Sequence, residues 1–227
     1  EDLQYEKMAT SIYGSDVSQK LDYIFASDFF PNQVLGGAEL SFASLMRECP
    51  SLNTGINSKD LNESLVSGHR DSTWIFGNYT QMDPGLIDLF AKENINYFVV
   101  EFDYKFCKYR NLELHEALEG SPCNCEETEH GNSINTFLTN ANKVFFMSDK
   151  QMEITLQNMS SLNKENCIRL TSIFEPEFFS VIENLRNQYK DKKNESWLIS
   201  GSPNWVKGAP EAEEWCKENN LDYTKIH

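Results

Sequence analysis

No stretch of the 227-residue chain is apolar for long enough to cross a bilayer, and its opening, EDLQYEKMATS, lacks the basic and apolar regions of a secretory leader. The expectation is a soluble, cytoplasmic protein. Positive charge is scarce: 20 Lys and Arg stand against 35 Asp and Glu, a formal net charge of -15. Such a surface repels nucleic acid and anionic membranes, so neither is expected as a partner. The same acidity also serves solubility alone. The dinucleotide fingerprint G-x-G-x-x-G is absent, as is the Gly-Lys-Ser/Thr of a P-loop. Cysteine is sparse for a chain of this size. The six residues Cys49, Cys107, Cys123, Cys125, Cys167 and Cys216 read as reduced thiols rather than a disulfide framework.

What is present builds a core. Apolar residues make up 40% of the chain and 15 residues are Phe, enough for one large domain or a domain plus a further piece. Leu21 to Ser27 is a short apolar run fit for a buried strand. Pro31, Asn32, Gly36 and Gly37 then break the pattern, and Leu40, Phe42, Ala43, Leu45 and Met46 recur at helical spacing from Ala38 onward. Adjacent glycines let a backbone pass close to a ligand, and a helix starting there presents free N–H groups. The corner is therefore either ready for a diphosphate or simply a tight loop.

Ser72–Phe76, Asn96–Glu101, Lys143–Met147 and Cys167–Leu170 read as further strands. Between them lie a helix begun at Asp83, a helix from Ile134 to Ala141 and one from Ser148 to Asn158. A short helix ending near Leu65, capped by Asn57 or Ser58, is also expected, and the polar segment 103–132 has no assigned element. Apolar strands alternating with amphipathic helices predict an α/β fold, a Rossmann-like parallel sheet covered on both faces. The expected divisions are an extension over residues 1–20, a Rossmann-like domain over 21–174, a linker helix over 175–194 and an incomplete second Rossmann-like unit over 195–227. Phe178, Phe179, Ile182 and Leu185 are expected to face inward from the linker helix. Apolar surface on Trp197, Leu198, Trp205 and Trp215 of the last piece predicts a homodimer or packing back on the first domain.

The wording FFPNQVLGGAEL resembles the first strand-to-helix loop of glycosyltransferase family 4. NYFVVEFDYKFCKYRNLELH resembles the middle strand and following loop of these enzymes, KVFFMSDKQMEITL the strand and helix near the end of their first domain, and WLISGSPNWVKGAPEAEEWCKENN the opening of their second. The resemblance implies the GT-B layout, with two facing Rossmann-like domains, and retaining transfer from a nucleotide-sugar donor to an unidentified acceptor with no required cofactor. It places Gly36, Gly37 and Lys207 at the donor diphosphate, and Asp103, Tyr104, Lys105 and Arg110 on the acceptor side. Phe102 stands where the family commonly has His, and a phenyl ring donates no hydrogen bond. No catalytic residue is therefore assigned. With no Glu-x7-Glu in a full second domain, the chain alone is expected to be inactive. The alternative is a non-catalytic ligand-binding or interaction module with a degenerate glycosyltransferase fold. A flavodoxin-like protein would share the pattern and carry a coloured flavin, and no colour is expected.

A separate pattern occupies the polar segment. Cys107, His115, Cys123, Cys125 and His130 gather within it, and such residues suit a structural zinc that would order a long loop lacking its own core. Cys-x-Cys is less specific than paired Cys-x-x-Cys, so unliganded thiols and surface histidines are the competing expectation.

Overall fold

The computed structural model describes residues 21–49, 51–190, 196–201 and 207–226. The expected extension over 1–20 and Trp205 lie outside them. The chain divides between Glu175 and Pro176 into two units.

The larger unit opens with β1 (Tyr23–Ser27), α1 (Gly37–Glu48) and β2 (Asn53–Asn57), followed by a 3-10 turn, α2 (Glu63–Gly68) and β3 (Thr73–Phe76). It continues with α3 (Gly85–Lys92), β4 (Tyr97–Glu101), α4 (Leu112–Glu119), a 3-10 turn at Cys125–Glu127 and α5 (Glu129–Asn140). β5 (Lys143–Phe146), α6 (Asp149–Asn158) and β6 (Cys167–Arg169) complete it. The strands form one parallel sheet in the order β2-β1-β3-β4-β5-β6. This is the Rossmann-like α/β arrangement that the alternating pattern predicts.

Strand periodicity sorts the core onto two faces. Ile24, Ala26, Trp74, Phe76, Tyr97, Val99, Val144 and Phe146 point one way, into a large core completed by Phe90 and Phe137. Phe25, Ile75, Val100 and Phe145 point the other way, to a smaller core under Phe42 and Met46 of α1. The large core is an aromatic stack: Phe76 meets Phe90, Tyr97 and Phe137 edge-on at 5.0–6.0 Å between ring centroids. Each such ring contributes about 1.5–3 kcal/mol of burial and fixes the sheet whose ends carry the polar groups.

Several elements depart from the sequence expectation; α5 begins at Glu129 rather than Ile134, and α3 at Gly85 after Pro84. The short helix is capped not by Asn57 or Ser58 but by Asn62, whose side chain accepts from Leu65 N. Asn57 instead ends the edge strand β2, where a Cβ on Gly55 would sit 2.9 Å from the Phe30 ring. The segment 103–132 also has regular structure. Asn111 caps α4 through Leu114 N, and Gly120 ends it in the left-handed region at φ 70.

The smaller unit carries α7 (Pro176–Gln188), β7 (Trp197–Ser200), α8 (Ala209–Glu218) and β8 (Tyr223–Ile226), with β7 and β8 parallel. It is a partial second unit with a small core of Ile199, Ala209 and Cys216. Phe178, Phe179, Ile182 and Leu185 of α7 do not face inward as expected. They are exposed, because no described side chain of that helix is buried. Trp197 and Leu198 of β7 and Trp215 of α8 are also exposed.

Candidate functional site

In an open parallel sheet, ligands bind beyond the carboxyl ends of the strands where the order reverses. Here β2 lies on one side of β1 and β3 on the other, so the reversal falls between β1 and β3. Asp28 leaves the end of β1, Asn78 and Thr80 follow β3, Glu101 ends β4, and Gln151 lies at the start of α6 after β5. The sheet geometry gathers these side chains.

They form a continuous hydrogen-bonded chain. Asp28 accepts from Ser58 Oγ at 2.5 Å, Thr80 Oγ1 at 2.6 Å and Gln81 N at 3.0 Å. Burial pushes its pKa up, but these bonds outweigh burial and hold the carboxyl below the usual 3.8. The Asp28 N–H donates to Asn78 O, and Asn78 Oδ1 accepts from Arg110 Nη2 at 3.0 Å. Arg110 Nε donates to Asp103 Oδ2 at 2.7 Å. Lys105 Nζ then joins Asp103 Oδ1 at 3.3 Å to Glu101 Oε1 at 2.8 Å. Gln151 Nε2 closes the chain on the carbonyls of Glu101 and Asp103.

Exposure divides the roles. Lys105 is sealed, with a side-chain exposure of 0% beside the 1% of Glu101. Its ammonium faces Glu101 and Asp103, not solvent. Burial raises the Glu101 pKa above 4.5 while Lys105 opposes the shift. Asp103 and Arg110 keep 24% and 37% of their side chains accessible. Tyr104 is half-buried with its ring against Phe106. Of the four residues implied on the acceptor side, Asp103 and Arg110 are the charged pair within reach of a ligand.

The glycine corner is built differently. Gly36 precedes α1 in extended backbone with no side-chain cap, and a Cβ on Gly37 would meet nothing within 4 Å. A Cβ on Gly36 would lie 2.4 Å from Glu39 Oε2, so the helix start already carries a carboxylate. Phe102 turns into the smaller core, its ring edge-on to Phe42 at 6.4 Å. Lys207 belongs to the smaller unit, just before α8, and is exposed.

The structure brings together four of the five candidate metal ligands. Ligand atoms of Cys107, His115, Cys123 and Cys125 all lie within 4.8 Å of one another. His115 Nδ1 is 3.5 Å from Cys107 Sγ and 3.6 Å from Cys125 Sγ. All four cysteine and histidine side chains are buried or half-buried, and the thiols are free. Burial pushes the Cys123 thiol up to about 12. His130 is not part of this group. It is the second residue of α5, exposed, with Nε2 2.8 Å from the Lys105 carbonyl. Packing around the cluster is close: a Cβ on Gly131 would lie 1.9 Å from the Cys125 carbonyl.

Asp28, Asn78, Glu101 and Gln151 were not singled out from sequence as site residues. Their shared signal is position, since each follows or ends a parallel strand at the carboxyl edge of the sheet. Among the described residues, no helix is long and apolar enough to cross a membrane. No protein-family model and no curated protein matches the chain.

Proposed function

We propose that the larger unit is a glycosyltransferase-like ligand-binding domain that receives a hydroxylated, sugar-like molecule beyond the carboxyl ends of β1, β3 and β4. The observation that carries this reading is the convergence there of Asp28, Asn78, Asp103 and Arg110, with Asp103 and Arg110 left accessible. Carboxylates accept from hydroxyl groups and a guanidinium donates to ring or hydroxyl oxygens, so the pair reads both sides of a sugar. Asp28 and Lys105 are positioning residues: they hold the loops from which the accessible pair projects.

Sugar transfer from a nucleotide-sugar would add a donor diphosphate at Gly36 and Gly37 at the start of α1. Breaking a sugar–phosphate bond builds negative charge on the diphosphate, which helix N–H groups stabilise. The open space over Gly37 supports that reading, and the Glu39 carboxylate must move for it. Phe102 supports the other one, binding without catalysis, because its ring packs on Phe42 and offers no proton.

Calorimetric titration with nucleotide-sugars, nucleoside diphosphates and simple glycosides tests both. Glycoside binding that is lost in Asp103→Ala supports the strand-end site. Nucleotide binding that is lost in Gly37→Trp supports a donor corner. Absence of binding by the whole panel overturns the proposal.

A further inference from the structure

The cluster on the segment between β4 and α5 has a chemistry of its own, independent of the ligand reading above. Its spacing is Cys107-x7-His115-x7-Cys123-x-Cys125, and the fold draws the four side chains together from the loop after β4, from α4, and from the loop and 3-10 turn before α5. We propose that these residues form a closed Cys3His structural zinc centre.

Distances support a tetrahedron. With Zn–S near 2.3 Å and Zn–N near 2.0–2.1 Å, the edges of a tetrahedral site are about 3.7 Å between sulfurs and about 3.5 Å between sulfur and nitrogen. The two edges from His115 Nδ1, 3.5 and 3.6 Å, already have that length. The remaining separations, all within 4.8 Å, close by small side-chain rotations. Without a metal the Cys107 thiol donates to the Asn111 carbonyl at 3.7 Å, and the edges from His115 Nδ1 still stand at the lengths of a tetrahedral site. One Nδ1 faces two sulfurs and, as acceptor or donor, serves only one of them in a linear hydrogen bond.

The type of centre follows from the ligand set. Three soft sulfurs and an imidazole select zinc over magnesium or calcium, which take oxygen ligands. Four protein ligands leave no open position for a substrate or an activated water, so the centre is structural. Binding expels one proton from each of the three thiols to solvent, and the cation then holds three thiolates and the neutral imidazole. The gain is local order. Between Cys107 and Cys125 the helix α4 buries only His115, and Leu118 on its surface is exposed. An ion supplies there the cross-link that an apolar face would otherwise supply. It also brackets the ligand edge, because Lys105 and Arg110 flank Cys107 in sequence.

The experiment is elemental analysis of the full chain purified without chelator, followed by replacement of the metal with Co2+. The expected result is a single equivalent of zinc, and a cobalt form with intense visible bands and a near-ultraviolet thiolate charge-transfer band. Cys107→Ser and Cys123→Ser should lose the metal, while Cys49→Ser and Cys167→Ser should keep it. If the cluster variants do not fold, the cobalt spectrum of the unaltered chain decides. Substoichiometric zinc together with no charge-transfer band, or the pale spectrum of octahedral cobalt, overturns the proposal. Full zinc content in both Cys107→Ser and Cys123→Ser does so too.

Discussion

Two polar clusters share one segment, and they are satisfied in opposite ways. Around Glu101, Asp103, Lys105 and Arg110 every charge meets an opposite charge at hydrogen-bonding distance, and Gln151 ties the backbone beneath them. Two residues further on, Cys107, His115, Cys123 and Cys125 converge with no cation of their own among them. The first cluster is complete from protein groups alone and leaves its two outermost members accessible. The second has the composition and spacing of a ligand cage. Stability of the strand edge should therefore depend on internal partners, and stability of the neighbouring knuckle on an added ion.

The sharpest way to break the first half of the comparison is to remove the sealed cation. Lys105→Ala leaves Glu101 buried beside Asp103 with its partner gone, which should cost about 3–5 kcal/mol. Urea unfolding measures it. Adding Glu101→Gln should recover much of the loss, and strict additivity of the two changes would show that the pair is not coupled.

A packing change should separate the second cluster from its metal. In Gly131→Ala the new methyl meets the Cys125 carbonyl at 1.9 Å, and either helix α5 or the turn must move. Overpacking of this kind costs about 3 kcal/mol. The loss should appear both in urea unfolding and as faster zinc release to a chelator. Unfolding at the same urea midpoint as the unaltered chain would mean that the turn yields freely.

Acid should weaken the strand edge through Asp28. Asp28 has its folded pKa below the usual 3.8, so its ionised form favours the folded state above that value. This contribution is lost as pH falls through 3.8 toward the lower folded pKa. Asp28→Asn should remove about 1–3 kcal/mol at neutral pH and flatten the acid limb of the stability profile. An acid limb with unchanged slope would assign the transition to other carboxyls. The smallest effect is expected at Arg169, paired with Asp149 at 3.0 Å with both side chains more than half exposed. Arg169→Ala should change stability by about 0–1 kcal/mol, a baseline against which the buried pair is judged.

Legibility in the sequence followed burial. β1, β3, β4 and β5 were readable because strands covered on both faces are continuous apolar runs such as YFVVE and KVFF. β2, NTGIN, has one buried residue and a glycine that makes room for Phe30, so nothing in its composition announced a strand. Helix α4 was hidden for a related reason. Its one buried residue is a histidine, so no apolar stripe marks the helix, although LELHEALE is rich in helix-favouring Leu, Glu and Ala and Asn111 and Gly120 close its ends. The same sequence that conceals the helix supplies the metal-ligand pattern, which was legible as five candidates and sorted by the fold into four. The Lys105–Glu101 pair could not be read from spacing, since its seal depends on strands and loops distant in the chain. The inward face expected for α7 failed because helical periodicity specifies which residues share a face, not what covers them.

Backbone hydrogen exchange over residues 97–131, compared between zinc-loaded and chelator-stripped protein, tests the division between the two clusters most directly. Loss of protection confined to 107–131, with β4 at Tyr97–Glu101 unchanged, is the result predicted for an ion-held knuckle beside a self-satisfied strand edge. Equal protection in both samples across 107–131 would contradict it, because the knuckle would then stand without the ion.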